Sequence, residues 1–146
     1  LITPIILFHL YKKDGFNMIY AVCMFLICIG FTDLTHLHLF KNTFMRLRPC
    51  WDIDIAPLSR VLVEKGGLYG FVSGHAANST AIITFMLLYI KRINIFTKYG
   101  LIFWVLLVSY SRIYLGKHYP LDVVFGMVLG ILMAYTIFKL FSYFKN

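Results

Sequence analysis

The stretch PLDVVFGMVLGILMAYTIFKLF, residues 120–141, decides the fold class of this chain. It is almost entirely apolar, and about 20 apolar residues in helical conformation cross the roughly 30 Å hydrocarbon core of a bilayer. Pro120 suits the first turn of a helix, because an N–H group at that position would have no intrahelical partner. Residues 120–141 are therefore predicted to form a membrane-spanning helix.

Three further apolar runs, at residues 16–40, 75–90 and 97–111, are predicted to be helices of the same kind. Hydrophobic residues make up 60% of the 146 residues and charged residues 14%, against roughly 45–50% and about 25% in soluble domains. Lipid admits only helices or closed barrels, and these runs show no strand-like alternation. We expect an all-α polytopic transmembrane bundle, of about five to six helices in the full protein.

The chain is predicted to be a single domain over residues 1–146, since it contains no internal repeat and no long linker. Proline and glycine in the loop at 49–72 argue against a spanning helix there, although short interfacial elements are compatible with it. The opening run LITPIILFHLYKKDG, residues 1–15, is too short to span a bilayer. We expect it to be the end of a helix that begins before Leu1, so that the domain is truncated at its N-terminus.

Counting the crossings places residues 41–74 and 112–120 on the same side of the membrane. The basic residues divide evenly between the two sides, so the positive-inside rule alone gives no orientation. If some cations near 41–74 serve chemistry, the opposite side is cytoplasmic and the loops carry an outward-facing site. The net charge of +8 then indicates anionic lipid or a phosphorylated substrate, since the apolar background argues against nucleic acid.

Three polar clusters meet on this common side: KNTFMRLRP at 41–49, FVSGH at 71–75 and SRIYLGKHYPLD at 111–122. Lys41 and Arg48 are two helical turns apart and would share a face if the helix continued. A helix start presents free N–H groups that favour anions. The clusters supply three cations, two histidines, one carboxylate and a helix start: Lys41, Arg48, Arg112, His75, His118, Asp122 and Gly74. This set suits a tetrahedral oxyanion.

In order and spacing, Lys-(six residues)-Arg-Pro, Ser-Gly-His and Ser-Arg-(five residues)-His-(three residues)-Asp resemble the three motifs of the type 2 phosphatidic acid phosphatase family. The likeness spans 41–122 and is closest to short bacterial members of the undecaprenyl-diphosphatase kind. One departure is Val72, where the family usually has proline, and it bears on loop rigidity more than on chemistry. The family also contains soluble vanadium haloperoxidases, which the apolar composition argues against.

The resemblance implies three catalytic residues. His118 would attack phosphorus as a neutral imidazole and form a phosphohistidine. Asp122 would hold the other ring nitrogen of His118, as the carboxylate does in a Ser-His-Asp triad. His75 would protonate the leaving oxygen and later help to activate water.

The resemblance also implies a phosphate-binding set and a setting in the cell. The phosphate ligands would be Lys41, Arg48, Ser73, Gly74 and Arg112, and we expect neither a metal nor another cofactor. The favoured substrate is undecaprenyl diphosphate; phosphatidylglycerol phosphate, phosphatidic acid and lipid A phosphates are alternatives. The expected partners are the lipid substrate and the bilayer, the expected location is the bacterial inner membrane with the site facing the periplasm or exterior, and the oligomeric state is open.

Other interpretations of single residues remain open at this stage. Basic residues at helix ends usually extend to lipid headgroups, and this interpretation is kept for Arg46, Arg60, Lys65 and Lys117. Within the first span, His36 and His38 face different sides of a helix, so a joint metal site is not favoured. Asp33 and His36 could share a face as a hydrogen-bonded structural pair.

Two other functions compete with a phosphatase. A serine protease could use Ser73 with one of the histidines, but it would not need the three cations. A non-catalytic protein that binds anionic lipid would explain the basic loops, but it would leave Asp122 and both histidines without a role.

Overall fold

Helices are the regular elements of the described part of the chain, as predicted. The computed structural model describes residues 16–58 and 64–145, and the apolar run at 1–15 and Arg60 lie outside these ranges. The helical elements are α1 (Phe16–Thr35), a π-helical turn (His36–Lys41), α2 (Asn42–Phe44), α3 (Gly74–Tyr89), α4 (Ile95–Tyr114) and α5 (Pro120–Lys145). Strand-like pairing in the described ranges is limited to an isolated bridge between Leu47 and Tyr69.

Within residues 16–58 and 64–145, two helical segments are long and apolar enough to cross a bilayer, Ile19–Phe44 and Pro120–Phe144. They correspond to the predicted spans at 16–40 and 120–141. The predicted runs at 75–90 and 97–111 are also helical, as α3 and α4. Helix α3 has 16 residues, or about 24 Å at 1.5 Å per residue, which is less than the hydrocarbon thickness.

Helices α3 and α5 pack with their backbones in direct contact. Gly126 and Gly130 lie one turn apart on α5, and a Cβ atom built on Gly126 would lie 2.6 Å from the carbonyl oxygen of Ser73. A Cβ atom on Gly130 would collide with the carbonyl oxygen of Ala77. Small residues separated by three positions allow this close approach of membrane helices. The start of α3 is thereby fixed against the first turns of α5.

The first helix does not continue to Arg48. It changes to π-helical geometry at His36–Lys41 and ends after Phe44, because Met45 adopts a left-handed conformation with φ of 44°. The condition for a shared helical face of Lys41 and Arg48, a helix that continues to Arg48, is therefore not met. Arg48 instead follows the turn at Met45 in an extended segment.

The loop that follows is fixed by pairing between two short extended segments. The N–H of Arg48 donates to the carbonyl of Leu68 at 3.0 Å, and the N–H of Gly70 donates to the carbonyl of Arg46 at 2.9 Å. In extended backbone, side chains two residues apart point to the same side. Arg46 and Arg48 therefore share one side of this segment, while Leu47 between them is exposed.

Candidate functional site

A cavity of about 630 Å³ opens where α3 begins and α4 ends, within the size range of small-molecule sites. Six of the eight predicted site residues line it: Lys41, Arg48, Gly74, His75, Arg112 and His118. They come from the end of the first helix, the following loop, the start of α3, the end of α4 and the loop before α5. The structure thus brings together residues from all three sequence clusters.

The turn after α4 places His118 beside Arg112. Gly116 has φ of 64°, the left-handed conformation that glycine adopts without steric cost. Its N–H donates to the carbonyl of Ile113 at 2.9 Å, and the N–H of Lys117 donates to that of Arg112 at 3.1 Å. This pattern of bonds is the Schellman motif. The N–H of His118 also donates to the Arg112 carbonyl, at 3.3 Å, so the turn brings this histidine back to the helix end.

His118 is 5% exposed, and burial lowers the pKa of its imidazole. The nearby cations Arg48 and Lys41 act in the same direction, whereas Asp122 opposes them. Nδ1 of His118 lies 3.8 Å from Oδ2 of Asp122, which is longer than a hydrogen bond. The environment therefore favours the neutral imidazole, the form in which a ring nitrogen can act as a nucleophile.

The Asp122 carboxylate is fully buried and is held by two donors. Oδ1 accepts from Nη1 of Arg46 at 3.0 Å, and Oδ2 accepts from the N–H of Tyr119 at 2.9 Å. An acidic residue at the third position of a helix commonly bonds back to the N–H that precedes the helix. The carboxylate is thus fixed in orientation behind His118.

Arg46 is part of the site, so its interpretation as a headgroup-seeking cation is wrong. Besides pairing with Asp122, its guanidinium lies 4.2 Å above the ring of Tyr119, and the Tyr119 hydroxyl donates to Asp52 at 2.9 Å. The available signal was its position two residues before Arg48, since an extended segment would carry both side chains to one side. The first of the three motifs leaves position 46 unspecified.

Lys117 is a second cation that sequence reasoning left outside the site. It lines the cavity, and its Nζ donates to the carbonyl of Glu64. Lys65, in contrast, lies 4.7 Å from the centre of the Trp51 ring, in the loop between α2 and α3.

Two of the predicted phosphate-binding cations, Arg48 and Arg112, are each oriented by a hydrogen bond. Nε of Arg48 donates to the carbonyl of Tyr69 at 3.1 Å, and Nε of Arg112 donates to the hydroxyl of Ser111 at 3.1 Å. Burial lowers the pKa of Arg48, yet a guanidinium remains protonated in proteins. Each arginine is therefore oriented by one bond while it keeps further donors for an anion.

Ser73 is the one predicted phosphate ligand that does not line the cavity. It is fully buried, and its hydroxyl oxygen accepts from the N–H of Ala76 as the cap of α3. Its predicted contact with phosphate stays a prediction. Its burial gives no support to a serine nucleophile.

The polar residues within the first span differ in whether they line the cavity. Asp33 and His36 share a face as expected, with Nδ1 of His36 3.5 Å from Oδ1 of Asp33, and both residues line the cavity. The hydrogen-bond partner of the same nitrogen is the carbonyl oxygen of Thr32, at 3.4 Å. Asn78 of α3 donates to the same Asp33 oxygen at 3.0 Å. His38 is exposed, and the described ranges contain no cluster of three or more potential metal ligands of the histidine, cysteine or acidic type.

Substituting Arg46 with alanine is expected to destabilise the fold by about 2 kcal/mol. Loss of one partner of a buried ion pair usually costs about 3–5 kcal/mol, and the partial exposure of Arg46 reduces this. Thermal unfolding in detergent, followed by tryptophan fluorescence, measures the change. Lys139→Ala is the matched control, because Lys139 also lies over a tyrosine ring, that of Tyr135. Equal midpoints for the two variants would contradict the role of Arg46.

The described part of the chain is a helical bundle with two segments long and apolar enough to cross a membrane, and its cavity collects cations and histidines where α3 begins and α4 ends. The sequence pattern of the PAP2 superfamily matches residues 15–146, and the chain belongs to this superfamily. The family resemblance noted from the three motifs is thereby confirmed.

Curated relatives of the chain carry two kinds of name. The lipid A 4′-phosphatase of Porphyromonas gingivalis is 32% identical over 142 residues, covering 95% of this chain and 58% of that protein. The lipid A 4′-phosphatase of Bacteroides thetaiotaomicron is 37% identical over 134 residues, covering 86% and 56%. The undecaprenyl-diphosphatase of Sulfolobus acidocaldarius is 33% identical over 127 residues, covering 86% and 54%.

The chain thus spans a little over half the length of the curated relatives it matches. No solved structure shows significant similarity to it.

Proposed function

We propose that this chain carries the catalytic site of a membrane lipid phosphatase that works through a phosphohistidine. The observation that carries the proposal is a cavity lined by four cations and three histidines, among them the predicted Lys41, Arg48, Arg112, His75 and His118. Phosphoryl transfer depends mostly on positioning and on stabilisation of negative charge. Membership of the PAP2 superfamily and relatives named as lipid phosphatases support the same activity.

In the first step, Nε2 of neutral His118 forms a bond to phosphorus while the bond from phosphorus to the lipid oxygen breaks. The protonated form of His75, which the bound anionic phosphate favours, gives its proton to that oxygen. Asp122, 3.8 Å from Nδ1, stabilises the positive charge that develops on the ring. In the second step water attacks phosphorus, the P–N bond breaks, and His75 takes up the proton that water releases. Phosphate leaves and both histidines return to their starting states.

We assign stabilisation of the negative charge on the transferred phosphoryl group to Lys41, Arg48 and Arg112. The N–H groups at the start of α3 are further donors. The space that a Cβ atom on Gly74 would occupy is filled by the ring of His36, so the glycine lets this imidazole pack against the start of α3. In this mechanism protein groups alone stabilise the negative charge, and no metal or other cofactor takes part.

The substrate is a lipid whose phosphate lies at the headgroup plane. Undecaprenyl diphosphate is the first candidate from the motifs, and two relatives bear that activity in their names. Lipid A phosphate is the second, supported by the names of two relatives that align with most of this chain. The proposed setting is the bacterial inner membrane with the site facing the periplasm or the exterior, and residues 1–146 as part of one larger phosphatase domain.

Phosphate release in the presence of EDTA tests the proposal. The purified protein in detergent is given undecaprenyl diphosphate, lipid A, phosphatidylglycerol phosphate and phosphatidic acid in parallel. Release from at least one lipid with EDTA present is the expected result, and the preferred lipid identifies the substrate. No release from any of them by folded protein would overturn the proposal, and release that EDTA abolishes would overturn the metal-free mechanism.

The protonation of His118 gives a separate prediction. Because burial lowers the pKa of this imidazole from its ordinary value of 6.5, the protonated form should appear only at lower pH, and the neutral nucleophile should predominate at pH 7. A protein labelled with ¹³C at histidine should show an NMR signal that titrates below pH 6.5 and is absent from His118→Gln. A midpoint at or above pH 6.5 would contradict the inferred environment.

A further inference from the structure

The cavity extends from its cationic end into the bundle by one to two helical turns. Gly74 lies at the cationic end, and Asn78 is four residues further along α3, about 6 Å deeper at 1.5 Å per residue. On the antiparallel α4, Val108 and Trp104 lie one and two turns before Arg112. All of them line the same cavity, so the part beyond the phosphate-binding end has its own lining.

One wall of this inner part accepts hydrogen bonds. The Asp33 side chain is 51% exposed and lines the cavity beside Asn78, which it already binds at 3.0 Å. A carboxylate has about four acceptor positions, so Asp33 retains capacity for a ligand. Oδ1 of Asn78 is buried without a hydrogen-bond partner within residues 16–58 and 64–145. Buried acceptors of this kind are normally paired, and the exception calls for an explanation.

Other residues that line this part of the cavity are apolar and include an indole. Trp104 is 38% exposed and lines the cavity together with Val108 and with Ile82 of α3. A group that contacts both kinds of residue has hydrogen-bond donors in one part and an apolar face in another. A sugar ring has both, because its hydroxyls project from the rim and its C–H groups form the faces. A second phosphate would instead meet the negative charge of Asp33.

We infer that the inner part of the cavity is a sugar subsite, so that the leaving group is a lipid-linked sugar whose hydroxyl or amide N–H groups donate to Asp33. The ring lies against Trp104, and the phosphate on the sugar occupies the cationic end near His118. This inference rests on the proposed function and narrows its substrate class to phosphorylated glycolipids. Asp33 then sets specificity and takes no part in the chemical step.

Turnover of two lipids by matched variants tests the subsite. Asp33→Ala should lower kcat/KM for lipid A by about tenfold or more, the value of a lost hydrogen bond to a charged group. The same variant should change kcat/KM for phosphatidic acid, which has no sugar, by less than about threefold. Asp33→Asn keeps an acceptor for Asn78 and therefore controls for a folding defect. This variant should also reduce the preference for lipid A. Equal losses on both lipids, or no loss, would overturn the inference.

Two controls separate the subsite from general effects. Asp54→Ala removes an exposed acid outside the cavity and should leave both lipids unaffected. Trp104→Ala should again reduce turnover of lipid A selectively, whereas Phe103→Ala, which removes the neighbouring exposed ring, should not. A selective loss with Phe103→Ala equal to that with Trp104→Ala would argue against stacking within the cavity.

Binding distinguishes failure of the subsite from failure of the phosphatase. In the His118→Ala protein in lipid nanodiscs, glucosamine 1-phosphate should bind more tightly than inorganic phosphate, and additional Asp33→Ala should remove the difference. Equal affinities for the two probes overturn the sugar subsite even if lipid turnover is normal. Tighter sugar phosphate binding without turnover of any lipid by the unmutated protein supports the subsite and overturns the phosphatase. Failure to bind either probe overturns the sugar subsite, and it overturns the phosphatase as well if the unmutated protein releases no phosphate from any lipid.

Discussion

His118→Ala is expected to abolish phosphate release, with a fall in kcat of about 10⁴-fold or more, the scale seen when a covalent nucleophile is removed. His118 is buried, faces the cavity and lies in front of the Asp122 carboxylate. With alanine at this position, the cations can still bind phosphate, but the side chain that forms the P–N bond is missing. Substrate affinity should therefore change much less than turnover.

His38→Ala is the matched control, because His38 is exposed on the π-helical turn and does not line the cavity. Its turnover should equal that of the unmutated protein. The intermediate itself gives a second readout, since a phosphohistidine is lost in acid and survives in base. A covalent phosphate with that behaviour should form in His38→Ala and be absent from His118→Ala. Turnover by His118→Ala within tenfold of normal would exclude this residue as the nucleophile.

Arg48→Ala is expected to lower kcat/KM by about 10²–10³-fold, the cost of removing one preorganised group that stabilises transition-state charge. The side chain is oriented by the carbonyl of Tyr69 at 3.1 Å and is half-buried, so its charge acts in a partly desolvated site. Arg48→Lys should recover only part of the activity, because lysine retains the charge but not the planar set of donors.

Arg92→Ala is the control for Arg48, since Arg92 is an exposed cation in the loop between α3 and α4. It should leave kcat/KM unchanged at the same ionic strength. Full rescue by Arg48→Lys would show that charge alone suffices at this position. A loss in Arg92→Ala equal to that in Arg48→Ala would point instead to general attraction of anionic lipid by the protein surface.

The helices were predictable from the sequence because uninterrupted apolar runs leave the backbone few alternatives in lipid. The end of the first helix was not predictable in the same way. The helical reading from Lys41 to Arg48 was plausible by spacing, but the left-handed Met45 ends the helix between them. Neither the π-helical turn nor the position of Met45 has a distinct composition in the sequence. The loop at 68–70 pairs with the residues that follow Met45, and that pairing is a long-range contact.

The grouping of the site residues followed from topology, whereas their individual contacts did not. Parity of the crossings brought the three motifs to one side, and the cavity contains residues from all of them. Arg46 was missed because a lone basic residue near a membrane surface usually has no specific partner. Its pairing with Asp122 spans 76 positions of sequence, and such a contact depends on packing that no local pattern records.

The glycine contact between α3 and α5 places a limit on sequence change. At Gly126 and Gly130 even one methyl group would meet backbone atoms of Ser73 and Ala77, and backbone cannot move aside as a flexible side chain can. Any larger residue would displace the start of α3, which carries Gly74 and His75, from the first turn of α5, which carries Asp122. These two glycines touch no substrate, yet we expect them to tolerate as little variation as the histidines of the site.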